Sequence, residues 1–280
     1  MKTLQEILTD TAGHLQKHGS DSARSDAEWL ACHALKLGKL DLYMQFDRPL
    51  TDAELDVLRP LVKRRAAGEP VQYIVGEMTF HSVDLVVGPE VLIPRPETER
   101  LVDEAVTRYT EGEILDICTG SGAILFAISA VLESPPAMTG VDISAAALVW
   151  AQRNRELLQA EHIQFTEGDL LAPVSDRQFS MITANPPYIS AAELPGLASN
   201  VRDFEPHTAL VAEDDGLAII RRIAESAQGR LLPGGDLLCE IGAGQGESAA
   251  SMFEQAGWEA VEVLRDYNDL DRIVAAKKLT

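Results

Sequence analysis

Four consecutive residues, Asn185-Pro186-Pro187-Tyr188, carry the most suggestive chemistry in the chain. They follow a short apolar run, Phe179–Met181–Ile182, that reads as a buried strand. Two prolines fix φ and donate no backbone N–H, so the chain must leave the sheet in a stiff, extended turn. Asn185 then presents a primary amide at a fixed place, with the flat face of Tyr188 beside it. That pair suits a planar nitrogen: a carboxamide or an exocyclic amine. An ordinary turn would explain an isolated Asn-Pro, but explains this tetrapeptide less well.

A second cluster lies upstream. Asp116-Ile117-Cys118-Thr119-Gly120-Ser121-Gly122 follows a predicted strand and precedes a helix. Gly120 and Gly122 let backbone approach a ligand closely. The stretch lacks the Gly-Lys-Ser/Thr ending of a phosphate loop, and Leu125 stands where a dinucleotide fingerprint needs its last glycine. Asp116 can receive cationic or hydroxyl groups. Asp142 ends the next strand, where a carboxylate can accept both hydroxyls of a ribose. Asp169 follows the third strand; it could accept an exocyclic amine, with Leu170 against a purine face. Each acidic residue alone could equally be a helix cap. Three at successive strand ends, beside a Gly-rich turn, favour a nucleoside without phosphates, and their charge suits a sulfonium. S-adenosylmethionine has those features.

The elements that must position these residues can be read from periodicity. Residues 1 to about 70 read as helical, with Leu4, Ile7, Leu8 and Leu15 near one face and Gly19 as a stop. A second helix after Asp21 is expected to close at Gly38, and Leu42–Phe46 to form an apolar turn. Thr51-x-x-Glu54 is a capping box, and Pro60 should kink or split the helix it starts. Two short strands flank His81-Ser82, which reads as a hairpin turn. Pro96 suits a helix start. Seven strands then alternate with helices, near residues 114–117, 139–142, 163–165, 181–184, 237–241, 260–264 and 272–276. This implies an α/β fold with a mostly parallel sheet and helices on both faces. The division expected is a helical domain over 1–72, a hairpin linker over 73–90 and the catalytic domain over 91–280.

Composition narrows the partner. Forty-four acidic against 24 basic residues give a net charge of −20. Phosphate-driven binding needs a basic surface, so nucleic acid is an unfavourable partner; Lys63-Arg64-Arg65 reads as a solvated helix end. No apolar run is long enough to span a membrane, and no apolar leader follows Met1. Cys32, Cys118 and Cys239 are far apart and lack metal spacing, which fits a reducing cytoplasm and no metal site.

These motifs together resemble the class I S-adenosylmethionine-dependent methyltransferases of the Asn-Pro-Pro-Tyr group. The stretch Leu92-Ile93-Pro94-Arg95-Pro96-Glu97-Thr98-Glu99 is similar to the peptide-chain release factor glutamine N5-methyltransferase family. Further matches are Gly68–Gly76, Glu205-Pro206, Asp215-Gly216-Leu217, Glu240-Ile241-Gly242 and Asp271-Arg272. The resemblance covers nearly the whole chain. Cys118 departs from it, standing where the family often has Gly.

The resemblance implies residue roles. Cys118, Thr119, Gly120, Ser121 and Gly122 would line the methionine and ribose of the cofactor, Asp142 would hold the ribose hydroxyls, and Asp169-Leu170 the adenine. Asn185 and the Pro186 carbonyl would accept from the substrate amide, and Tyr188 would pack on its plane. Arg95, Glu97 and Glu99 would shape the entrance or serve structure alone. The partner implied is a class 1 release factor, bound by a monomer through the helical domain. Two alternatives share the tetrapeptide: an adenine-N6 DNA or RNA methyltransferase, and a glutamine methyltransferase acting on a ribosomal protein. A non-enzymatic nucleoside-binding adaptor is a third, opposed by the intact turn and acidic residues.

Overall fold

The architecture is that of a computed structural model, which describes residues 1–279. The chain divides into two compact units, Met1–Glu77 with Ala198–Phe204, and Met78–Leu197 with Glu205–Thr280.

The first unit is helical. Helix α1 (Leu4–Lys17) starts at a Thr3/Glu6 capping box and buries Leu4, Leu8, Thr11 and Leu15 along one stripe. Helix α2 (Ala23–Leu35) ends at Lys36, in the left-handed region at φ 54°, rather than at Gly38; Gly38 instead opens α3 (Lys39–Met44). The expected apolar turn is therefore helical up to Met44 and a turn at Gln45 and Phe46, and only Leu42 of it is buried. Helix α4 (Asp52–Ala66) has the Thr51/Glu54 capping box. Of the kink or split expected at Pro60, the split does not occur: the helix is continuous through it. Proline removes one ladder bond, but Leu55, Leu58, Leu61 and Val62 pack on the core from both sides of it, and this burial outweighs the loss of about 3 kcal/mol. Helix α5 (Val71–Val75) extends the helical section. The boundary expected after residue 72 falls inside it and moves to Glu77, because Val71 and Ile74 belong to the helical core. The short helix α9 (Ser199–Arg202) also belongs to this unit.

The second unit is built on a sheet. A hairpin of β1 (Glu77–Phe80) and β2 (Val83–Val86) turns at His81, whose φ is 52°. His81 donates its N–H to Glu99 at 2.9 Å and meets Asp103 through Nε2 at 3.2 Å, so it ties the hairpin to α6 (Glu99–Arg108). A short 3-10 turn, Pro96–Thr98, leads into that helix. Seven strands follow: β3 (Ile114–Ile117), β4 (Met138–Asp142), β5 (Ile163–Glu167), β6 (Phe179–Ala184), β7 (Leu231–Glu240), β8 (Glu259–Arg265) and β9 (Asp271–Lys277). Their order is β5-β4-β3-β6-β7-β9-β8, parallel except for β9, which runs antiparallel to both neighbours.

Strand alternation divides the core in two. Leu115, Ile117, Ile182 and Leu237 face α10 (Ala218–Ser226) and α11 (Gly246–Gln255). Ile114, Met138, Met181 and Leu238 face the hairpin, α6 and α7 (Ala123–Val131). Helix α8 (Ala145–Leu157) follows β4 and completes the crossover to β5. Strand order reverses at β3, between β4 and β6. A crevice at the carboxyl ends of strands belongs at such a reversal.

Candidate active site

Register brings the motifs together. Ile117 pairs with both Val141 and Ala184. The residues one step beyond, Cys118, Asp142 and Asn185, therefore leave adjacent strands side by side. They line a cavity of about 480 Å³, with Gly120, Asp169, Leu170 and Pro187 also in its wall. Segments that sequence reasoning did not assign complete it: Glu90–Leu92, Ile143–Ser144, Pro206–Ala212 and Ala218–Arg222. The parallel bridge Ile189–Val211 ties the third of these to the strand exit.

Asp142 does two jobs that looked like alternatives. Its Oδ2 accepts from Gly120 N–H at 2.8 Å and its Oδ1 from Ser144 N–H at 2.9 Å, holding the Gly turn and the entry to α8. Each carboxylate oxygen has a second lone pair, so acceptor capacity remains on the cavity side. Burial pushes its pKa up, opposed by these backbone donors. Asp169 pairs with Arg222 at 2.6 Å, with both side chains half exposed. Leu170 enters the wall in the left-handed region at φ 50°. Cys118 also sits there, at φ 59°, which accounts for glycine being at home in this position. Burial raises its thiol pKa well above the usual range, so the thiolate is not accessible.

Other expected residues stand behind the wall. Asp116 is fully buried, accepts from Thr183 Oγ1 at 2.7 Å, and has no partner on Oδ2. Burial pushes its pKa up to about 7, with the nearby Thr119 and Thr183 hydroxyls opposing. It is not among the residues that line the cavity. Thr119, Ser121 and Gly122 are likewise outside the cavity wall. The Ser121 carbonyl accepts from Asn154 Nδ2 at 3.1 Å, and Gly122, at φ 80°, opens α7 where a Cβ would meet the Phe126 ring at 2.6 Å. Pro186 is not part of the lining either.

Tyr188 departs from expectation. It is packed against the core, and its hydroxyl donates to Glu240 Oε1 at 3.2 Å; only Asn185 and Pro187 of the tetrapeptide face the cavity. Burial, reinforced by Glu240, raises the phenol pKa. The Tyr188 carbonyl accepts from Gln245 Nε2 at 2.9 Å. Asn185 donates through Nδ2 to Thr98 Oγ1 at 3.2 Å. Arg95 pairs with the buried Glu205 at 2.5 Å, and Glu205 also accepts from Ile93 N–H at 3.3 Å. The proline-rich stretch is thus pinned to the segment beside the cavity. Thr98, Glu205, Glu240 and Arg222 were not singled out for roles, although Thr98, Glu205 and Glu240 lie in stretches that carry the resemblance.

Charged groups in the wall are Glu90, Asp142, Asp169 and Glu213 against Arg222. Apolar surface comes from Val141, Ile143, Ala147, Leu170 and Ile219. Volume, net negative wall and the spare lone pairs of Asp142 fit a nucleoside carrying positive charge. Among the described residues no cluster of His, Cys, Asp and Glu could hold a metal ion, and no helix is long and apolar enough to cross a membrane.

Residues 6–76 match the PrmC N-terminal domain, and residues 96–199 match the methyltransferase small domain. The chain is 42% identical to the release factor glutamine methyltransferase of Geobacter sulfurreducens, over 98% of this chain and 96% of that one. It is 39% identical to that of Escherichia coli over 98% of each. This chain belongs to the release factor glutamine methyltransferase family. The seven-stranded sheet of the family member is also the fold of a methyltransferase from Pyrococcus furiosus, at TM-score 0.54 and 16% identity, covering 71% of this chain and 90% of that one. Membership makes the chain a methyltransferase, and its sheet has the class I methyltransferase architecture.

Proposed function

We propose that this protein methylates the side-chain amide nitrogen of the glutamine in the Gly-Gly-Gln motif of class 1 release factors, with S-adenosylmethionine as donor. The observation that carries the reading is 39–42% identity, over 98% of the chain, with release factor glutamine methyltransferases. Having Asn185 in one wall with Asp142 and Asp169 supports it.

When bound, S-adenosylmethionine supplies an electrophilic methyl group on a sulfonium. Asp142 would hold the ribose hydroxyls, Asp169 with Leu170 the adenine, and Cys118 with Gly120 the methionine part. Asn185 accepts a hydrogen bond from the substrate NH₂ through Oδ1; the Pro186 carbonyl, outside the lining, is the second acceptor only if substrate reaches past the Asn185 wall. An amide nitrogen is a weak nucleophile, and no carboxylate or imidazole lies within the tetrapeptide to act as base. Positioning therefore supplies most of the acceleration, and near-attack geometry contributes up to roughly 7–11 kcal/mol. An acceptor on the NH₂ also stabilises positive charge growing on nitrogen. A site of acceptors rejects a carboxylate, so glutamate in place of the target glutamine is excluded.

The protein acts as a monomer in the cytoplasm, with no nucleic-acid substrate. The helical unit supplies part of the docking surface for the factor; α3 exposes Leu40 and Met44 there, at 71% and 68%. Labelled cofactor is offered with release factor, with its Gln→Ala variant, or with nucleic acid. Label on the wild-type factor alone is expected. Label on nucleic acid, or on none of the three, refutes the assignment.

A further inference from the structure

Asn185 can serve an NH₂ substrate only if its carboxamide faces the right way round. Turned over, it would offer a donor where an acceptor is required. Nothing within the tetrapeptide decides between the two orientations. The decision comes from two residues outside it. Asn185 Nδ2 donates to Thr98 Oγ1 at 3.2 Å, leaving Oδ1 for the cavity. Thr98 is buried, at 3% exposure, at the end of the Pro96–Thr98 turn. A hydroxyl has one proton. For its oxygen to keep a lone pair toward Asn185, that proton must point elsewhere.

Glu240 supplies the reason for it to do so. Ala184 is in register with Cys239, so Asn185 and Glu240 leave β6 and β7 side by side. Glu240 is fully buried, and its Oε2 has no hydrogen-bond partner. Burial pushes its pKa up to about 7, opposed by the nearby Thr98 hydroxyl, by Arg272 and by the Tyr188 hydroxyl, which donates to Oε1 at 3.2 Å. Once ionised, above about 7, the carboxylate only accepts, and it then draws the protons of both hydroxyls inward.

We propose that Thr98 and Glu240 are positioning residues that set the orientation of the Asn185 carboxamide, and thereby the preference for glutamine over glutamate. The inference rests on the glutamine methyltransferase reading above.

Thr98→Val preserves shape and removes the acceptor, and Thr98→Ser restores it. With release factor as substrate, Thr98→Val should lower kcat by roughly a hundredfold, the order expected of a misplaced positioning contact. Its affinity for S-adenosylmethionine should be unchanged, and Thr98→Ser should return to within about threefold of the wild type. Glu240→Gln puts a donor beside Thr98, and its kcat should fall about tenfold. A release factor with Glu at the target position is then used as a competitor. The wild type should bind it poorly, and Thr98→Val should narrow the gap between the Gln and Glu forms about tenfold, which a structural defect would not do. Wild-type kcat in Thr98→Val, a Thr98→Ser as impaired as Thr98→Val, or an unchanged Gln/Glu gap overturns the proposal. If Thr98→Val does not fold, the gap measured with Glu240→Gln decides. A wild-type enzyme that leaves the factor unmethylated would instead sink the function itself.

Discussion

Replacing Asp142 by Asn separates the two jobs assigned to its carboxylate. Both oxygens are used internally, at 2.8 Å from Gly120 N–H and 2.9 Å from Ser144 N–H. Asn keeps one acceptor and sets an NH₂ against the other backbone donor. One buried N–H is then unpaired, costing about 1–3 kcal/mol. For a unit of this size that lowers Tm by about 2–12 °C. The ribose contact is lost separately. Hydrogen bonds to a charged group contribute about 1.5–3 kcal/mol each, and a neutral acceptor retains part of that. Kd for S-adenosylmethionine should therefore rise roughly tenfold to a hundredfold. Titration calorimetry on folded protein gives Kd, and thermal melts without cofactor give Tm. A lowered Tm with wild-type Kd would show that Asp142 is only a cap and would refute its place in the cofactor site.

Asn185→Ala should keep cofactor affinity and lower methylation of the release factor by orders of magnitude; unchanged turnover in a radiolabel assay would remove it from the site. Arg95→Met leaves Glu205, at 1% exposure, with only the Ile93 N–H as partner. Chemical denaturation should show a loss of roughly 3–5 kcal/mol, and adding Glu205→Leu should recover most of it. A double variant no more stable than Arg95→Met would contradict this. Asp116 titrates near 7 when folded against an ordinary 3.8, so the folded state binds the extra proton between those values. Its contribution is fully present below about 3.8 and is lost as pH rises through 7. Relative to Asp116→Asn, the wild type should lose stability from pH 4.5 to 7 and then level off; parallel curves would place the charge elsewhere.

Strands and helices were legible because their signals are local. Alternation, capping boxes and glycine stops act within a turn or two, and nearly every element after residue 90 lies where the pattern puts it. The errors came where packing overrode local preference. Pro60 stays helical because the helix buries apolar side chains on both sides of it. Lys36 takes a left-handed conformation two residues before the glycine that seemed made for it.

The site was legible only as a list. The residue types in Asp142, Asp169 and Asn185-Pro186-Pro187-Tyr188 were enough to name a nucleoside, a positive charge and a planar nitrogen, because donor and acceptor chemistry belongs to the side chain itself. Which way each side chain faces does not. Strand register over some 70 residues sets Asp142 and Asn185 in one wall and turns Asp116 inward. Tyr188 faces Glu240 rather than the cavity because its hydroxyl, once buried, needs a partner, and β7 brings one. Thr98 and Glu240, 142 positions apart, meet at Asn185 only through folding, and no spacing rule in a single sequence could have paired them.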